Sequence, residues 1–173
     1  AALASIALTV GGIIPEAKAD DAHAQLAAAV IRHGVDIQLN TSECFEPDNK
    51  FFGYYAGVDR VMVICNENAT YIGQTDAAWT REDLDTLRHE SQHFIQDCIV
   101  GSNHDHVLGP VYQEPIDFAL SVMGQEKASR IVDVYRENGA SDLVLVLELE
   151  AFAVADLNDP TEQVQDIYNY CGS

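Results

Sequence analysis

The stretch H-E-S-Q-H at residues 89–93 lies in the middle of a segment, residues 80–99, whose sequence predicts one long helix. Thr80 is a good N-cap residue, and Asp83, three residues later, can complete a capping box in place of the more usual glutamate. Apolar and small residues recur at helical spacing along the segment. Gly101 provides a stop signal just beyond it. The pentapeptide is therefore predicted to lie near the centre of a helix of about five turns.

Two histidines four residues apart on a helix have the spacing that metal binding requires. His89 and His93 share one helix face, so both imidazoles can bind one Zn²⁺ through nitrogen at about 2.0–2.1 Å. Glu90 lies beside such a metal without having to bind it. A carboxylate in that position can act as a general base towards a water molecule that the metal activates. The pattern predicts a zinc site with His89 and His93 as ligands and Glu90 as the catalytic base.

These residues resemble the metal helix of the zincin metallopeptidases. The extended zincin motif, H-E-x-x-H-x-x-G-x-x-H, would require glycine at 96 and histidine at 99, but the chain has Gln96 and Ile99. The resemblance is therefore to the gluzincin branch, which takes a glutamate from a second helix. It implies a Zn²⁺ cofactor, a peptide or protein substrate, and a strand that pairs with extended substrate at the rim of the cleft. Residues 61–64 are the candidate for that strand.

The second helix is predicted over residues 142–156, which are apolar on every face apart from two glutamates. A helix that is apolar all round is buried, and a buried carboxylate is costly unless it is paired or bound to a metal. Glu148 and Glu150 point about 200° apart, so only one of them can easily reach the zinc.

Both glutamates resemble gluzincin ligands. Residues 150–153 are similar to the Glu–small–apolar–small signature of thermolysin-like enzymes. Residues 148–151 are similar to a Glu-x-x-Ala signature, but they lack the Asp or Asn that usually follows it. We take Glu150 as the third ligand, with Glu148 as the alternative. Asp97, one turn beyond the second histidine, is a further candidate, although a supporting or solvated role suits it better.

The resemblance assigns no group that would stabilise the oxyanion of the reaction. Tyr135 and His106 are the two candidates. His106 belongs with His104 to a polar loop, residues 102–110, in which histidines are more often solvated than bound to metal.

The four cysteines predict two disulfides in an exported chain. No C-x-x-C pair is present, which argues against a cysteine zinc cluster. Of the three connectivities we favour Cys44–Cys65, which would brace a hairpin, and Cys98–Cys171, which would fix the C-terminal helix to the end of the metal helix.

The N-terminal residues resemble a secretory leader. Residues 3–14 are largely apolar but too short to span a bilayer, and residues 17–19 form an A-x-A cleavage site. We expect residues 1–19 to be the remnant of a signal peptide, the alternative being a buried N-terminal helix. Residues 20–173 would form a single domain that is secreted or periplasmic and has no stable membrane insertion once the leader is removed.

The chain carries a formal net charge of −19. A charge of this size repels phosphates and anionic lipid surfaces, which argues against binding to nucleic acid or to anionic membranes. It favours cations such as Zn²⁺.

Together these patterns predict an α+β fold of the zincin type, with a small antiparallel sheet packed on the metal helix and a helical C-terminal half that supplies the third ligand. Strands are expected at residues 35–39 and 60–65, with a third extended piece at 70–72. The expected function is secreted zinc-dependent peptide hydrolysis. One alternative is a catalytically inactive zinc-binding scaffold or interaction protein on the same fold. Another is an extracellular partner-binding domain in which the motif is accidental.

Overall fold

The computed structural model describes residues 21–48, 51–102, 105–157 and 159–172. The predicted signal-peptide remnant lies outside them. In chain order the elements are α1 (Asp21–Arg32), β1 (Asp36–Leu39), a 3-10 helix (Ser42–Phe45), β2 (Gly53–Ala56), β3 (Val61–Ile64), α2 (Arg81–Ile99), α3 (Pro115–Glu137), α4 (Asp142–Asp156) and α5 (Pro160–Tyr170). The α+β class is confirmed, with five helices and one three-stranded sheet among the described residues.

The sheet is mixed, and the prediction of an antiparallel sheet was wrong for one strand pair. The strand order is β1-β3-β2: β2 and β3 form an antiparallel hairpin, whereas β1 runs parallel to β3. Parallel strands need a long crossover, and the segment that contains the 3-10 helix and β2 provides it. Residues 70–72 form no strand.

Helix α2 begins and ends where local signals predict. The Thr80 side chain accepts a hydrogen bond from the Asp83 amide, and the Asp83 carboxylate accepts one from the Thr80 amide, so the capping box is complete. At the other end Gly101 has a φ of 103°, a conformation that glycine adopts without steric cost. Both ends of the helix are thus fixed by residues next to it in the sequence.

Helix α2 is also the centre of the core. Its buried apolar face, which includes Leu87, Phe94 and Ile95, packs against α1, the sheet and Ile167 of α5. On its other side it packs against α4, which in turn packs on α3 through a second apolar cluster. Because α2 is enclosed by two layers, the polar residues on it are held in fixed surroundings.

Helix α3 consists of two helical halves that meet at Gly124, whose φ of 74° and ψ of 163° are not helical. The sequence predicts two separate helices here, over residues 115–123 and 125–138, with Gly124 between them. Because the helix bends at this residue, both of its halves can follow the surface of α4.

Both predicted disulfides are confirmed. Cys44–Cys65 ties the 3-10 helix to the residue after β3, and Cys98–Cys171 ties the last turn of α2 to the end of α5. Among the described residues, no helix is both long and apolar enough to cross a bilayer.

Candidate metal centre

Three potential metal ligands converge between α2 and α4. Nε2 of His89 lies 3.1 Å from Nε2 of His93. Of the Glu148 carboxylate, Oε2 lies 3.2 Å from the first nitrogen and Oε1 lies 3.5 Å from the second. Their side chains are only 10–15% exposed. Among the described residues they form a cluster of histidine and carboxylate groups with the spacing to hold one metal ion.

Glu148, and not the predicted Glu150, completes this cluster. The Phe152 ring, one turn further along α4 on the same face, lies 4.4 Å from the His89 ring between centroids. This face of α4 is therefore turned towards the histidines. The Glu-x-x-Ala pattern was the sequence signal for Glu148, and the absence of the usual following Asp or Asn pointed away from it.

Glu150 is fully buried elsewhere, in a complete set of hydrogen bonds. Its carboxylate accepts hydrogen bonds at 3.0–3.1 Å from the side-chain amides of Gln92 and Gln96 and from the backbone amides of Val111 and Tyr112. The sequence argument that a buried carboxylate needs partners was sound, but the partners are amides.

Gln96 connects Glu150 to one of the cluster histidines. Its amide nitrogen lies 3.0 Å from both Glu150 Oε1 and the Leu147 carbonyl oxygen, which is an acceptor only. Its oxygen therefore faces His93 Nδ1 at 2.8 Å, and Nδ1 is the donor of that hydrogen bond. In the neutral imidazole this leaves a lone pair on Nε2, which points into the cluster.

Glu90 lies beside the cluster and lines the adjacent cleft. It is a buried carboxyl, only 6% exposed, and burial raises its pKa although the two histidines partly offset the effect. The backbone amide of Tyr55 in β2 donates a hydrogen bond to it. A carboxylate with a raised pKa is a stronger base than an exposed one, which suits it to accept and return a proton.

The cluster is electrostatically coupled. Burial disfavours the charged forms of His93 and Glu148, but their mutual attraction outweighs burial for both. The pKa of His93 is raised to about 9, chiefly by hydrogen bonding to Glu148 and by its charge. Hydrogen bonds from the two histidines lower the pKa of Glu148 below its usual range. Without a metal, a proton shared within the cluster thus balances the negative charge of the Glu148 carboxylate. A bound cation would replace that proton and balance the same charge.

A cleft of about 740 Å³ opens next to His89 and Glu90. One wall comes from β2 and the residues before it, and the other from the C-terminal half of α3. The apolar part of its lining consists mainly of Phe51, Phe52, Ile131, Val134 and Phe152. A cleft with an apolar lining and convergent titratable groups at one end is a typical binding site.

The structure distinguishes between the two oxyanion candidates. Tyr135 lines the cleft and hydrogen-bonds to Glu148, and burial together with the Glu148 charge raises the pKa of its phenol. Tyr135 therefore keeps its proton and can donate it in a hydrogen bond. His106 is exposed in its loop and does not line the cleft, and His104 lies outside the described residues.

The places of Asp97 and of residues 61–64 in the fold decide two further predictions made from the sequence, that of a further ligand candidate and that of the strand at the rim of the cleft. Asp97 lies outside the cluster, where it accepts a hydrogen bond of 2.7 Å from the Tyr55 hydroxyl. Residues 61–64 cannot pair with a substrate, because they form the middle strand β3 and both their edges are occupied. The edge strand nearest the cleft is β2, of which Gly53 lines the cleft. The sequence of β2 alternates too weakly between apolar and polar residues for this strand to have been predicted at the rim of the cleft.

The chain belongs to the family described as a domain of unknown function (DUF8637), whose profile matches residues 18–172. No curated protein and no solved structure matches the chain.

Proposed function

We propose that the protein is a secreted zinc-dependent metallopeptidase whose metal ligands are His89, His93 and Glu148. The observation that carries this proposal is the convergence of the two imidazole nitrogens and the Glu148 carboxylate at one point. Two ligands bound tetrahedrally to Zn²⁺ at about 2.0–2.1 Å lie about 3.3–3.4 Å from each other. The two histidine nitrogens are 3.1 Å apart, and each has one Glu148 oxygen at a similar distance, Oε2 at 3.2 Å from His89 and Oε1 at 3.5 Å from His93. With one atom taken from each residue, the three ligand atoms all lie within 4.8 Å of one another.

The chemistry of the donor set fits zinc as well. Two imidazoles and one carboxylate are the ligand types of catalytic zinc sites, which keep a fourth position open for water or substrate. The hydrogen bond from His93 Nδ1 to Gln96 leaves Nε2 available as the donor atom. The cleft beside His89 gives access to the site from one side.

The residues around the cluster suit peptide hydrolysis. A zinc ion held there supplies Lewis-acid polarisation of the scissile carbonyl and of the attacking water. Glu90 takes the proton of that water and passes it to the leaving amine. The Tyr135 hydroxyl, which faces Glu148 in the same cleft, can turn to donate to the developing oxyanion.

Secretion is supported by the cysteines and by the leader-like start of the sequence. Two disulfides use all four cysteines, which is typical of proteins that fold in an oxidising compartment.

Metal analysis of purified residues 20–173, combined with digestion of a peptide library, tests the proposal. We expect one zinc per chain, lost in His93→Ala, and cleavage that stops on zinc chelation and returns when zinc is added back. A His93→Ala protein with a full equivalent of zinc would disprove the metal site. Zinc binding without cleavage of any peptide would instead support a zinc-binding scaffold.

A further inference from the structure

We propose that Glu150, acting through Gln96, is a positioning residue for the metal centre. It fixes the orientation of the Gln96 amide, and that amide in turn holds His93 so that Nδ1 carries the proton and Nε2 faces the metal. This inference rests on the proposed zinc site. Glu150 does not itself reach the cluster, but through Gln96 it would support metal binding there.

The first step is the fixed position of Glu150. The carboxylate is anchored by the backbone amides of Val111 and Tyr112, which belong to the segment before α3 and cannot rotate away as a side chain can. Its burial excludes water as a competing partner. The charge therefore stays at one place between α2 and α4.

The second step is the orientation of Gln96. Either end of a glutamine amide could in principle face His93. On the side of Gln96 that faces away from His93 lie the Glu150 carboxylate and the Leu147 carbonyl, which both accept hydrogen bonds only. They select the orientation in which the Gln96 nitrogen faces them. Reversing the amide would place its oxygen 3.0 Å from the Glu150 oxygen, with two acceptors in contact and both buried.

The third step is the effect on His93. With the Gln96 oxygen 2.8 Å from Nδ1, the neutral ring has its proton on Nδ1 and its lone pair on Nε2. That nitrogen is the one 3.1 Å from His89 Nε2 and 3.5 Å from Glu148. Residues that orient a metal-binding histidine in this way typically contribute 10–100-fold to metal affinity.

Helix α2 offers a matched control. Gln92 and Gln96 are both buried glutamines, and each donates one 3.0 Å hydrogen bond to Glu150 Oε1. Of the two side chains, the one with a hydrogen bond to the His93 ring is Gln96. Replacing either with leucine removes one bond to Glu150 and one further bond, that from Gln96 to the Leu147 carbonyl oxygen or that from Gln163 to the Gln92 oxygen. Because the losses are similar apart from the bond to His93, the two variants separate the relay from a general loss of stability.

The experiment measures the zinc affinity of wild type, Gln96→Leu and Gln92→Leu by competition with a chelator. We expect Gln96→Leu to bind zinc about 10–100-fold more weakly and Gln92→Leu to stay within about threefold of wild type. Glu150→Gln should also weaken zinc binding, because its amide can present a donor to the Gln96 nitrogen and release the constraint. Equal losses in the two glutamine variants, or no loss in Gln96→Leu, would overturn the inference.

A second measurement uses the wild-type protein alone, so it does not depend on the variants folding. Nitrogen-15 NMR of the histidine rings should show His93 protonated on Nδ1 in the zinc-loaded protein, and also in the zinc-free protein once the same spectra, recorded over a pH series, show that the ring has become neutral. A proton on Nε2 would overturn the inference. If wild type binds no zinc, the proposed function fails, and the zinc-free spectrum still decides the orientation of His93.

Discussion

The Glu148 carboxylate lies 3.2 Å from Nε2 of His89, so residues from two helices far apart in the sequence meet at one point. Helix α2 contributes the two histidines, and α4 contributes the carboxylate. The contact depends on the packing of α4 against α2, since neither helix holds all three groups. The metal centre would therefore be a property of the folded domain.

The identity of the third ligand can be tested with a conservative substitution. Glu148→Gln retains the shape of the side chain but removes the negative charge that faces both histidines. We expect zinc affinity to fall by more than the 10–100-fold typical of a residue that only supports a ligand. Glu82→Gln is the control, because Glu82 lines the same cleft but lies outside the cluster. Unchanged zinc binding in Glu148→Gln would remove it from the ligand set.

The role of Glu90 can be separated from metal binding. Glu90→Gln keeps the size of the side chain and removes the base, so we expect zinc content and folding close to wild type. Hydrolysis of a susceptible peptide should fall by about 10²–10⁴-fold, the usual contribution of a general base. Zinc content and initial rates of cleavage would be measured on the same preparation, with Glu82→Gln again as control. If Glu90→Gln cleaves as fast as wild type, the mechanism is wrong.

The stability of the zinc-free protein should depend on pH through His93. Because the folded protein raises its pKa to about 9, from an ordinary value of about 6.5, protonation stabilises the fold. That contribution is complete below about pH 6.5 and is lost as pH rises through about 9. Urea unfolding across this range should show wild type losing more stability than His93→Gln, in which the titrating group is absent. Equal slopes for the two proteins would contradict the coupling of His93 to Glu148.

The same proton should govern zinc binding. A zinc ion must displace the proton from His93, so affinity should keep rising up to about pH 9 and should not level off near 6.5. A chelator competition series between pH 6 and 9.5 measures this directly.

The two disulfides should differ in their contribution to stability. Cys98–Cys171 closes a loop with a sequence separation of 73 residues, and Cys44–Cys65 closes one of 21. Loop-closure entropy predicts losses of about 4 and about 3 kcal/mol when each pair is replaced by alanine. Urea denaturation of the two double variants measures both values. A larger loss from the Cys44–Cys65 variant would show that strain or packing outweighs loop entropy.

Several features of this protein could be predicted from the sequence because they depend on near neighbours in the chain. The capping box, the glycine stop and the four-residue spacing of the histidines fix α2 and place His89, Glu90 and His93 on it. The break in α3 at Gly124 is similarly local. The choice among three disulfide connectivities also succeeded, since each pairing joins the ends of elements that could be recognised in the sequence.

Only the tertiary structure decided which glutamate meets the histidines. Helix α4 is apolar on every face, so its sequence carries no amphipathic pattern that could set its rotation about its own axis. The rotation follows from packing against α2 and α3, together with the backbone amides of residues 111–112, which hold Glu150 away from the cluster. The direction of β1 was decided in the same way, because pairing between distant strands depends on the path of the crossover and leaves no periodic signal in the strand itself.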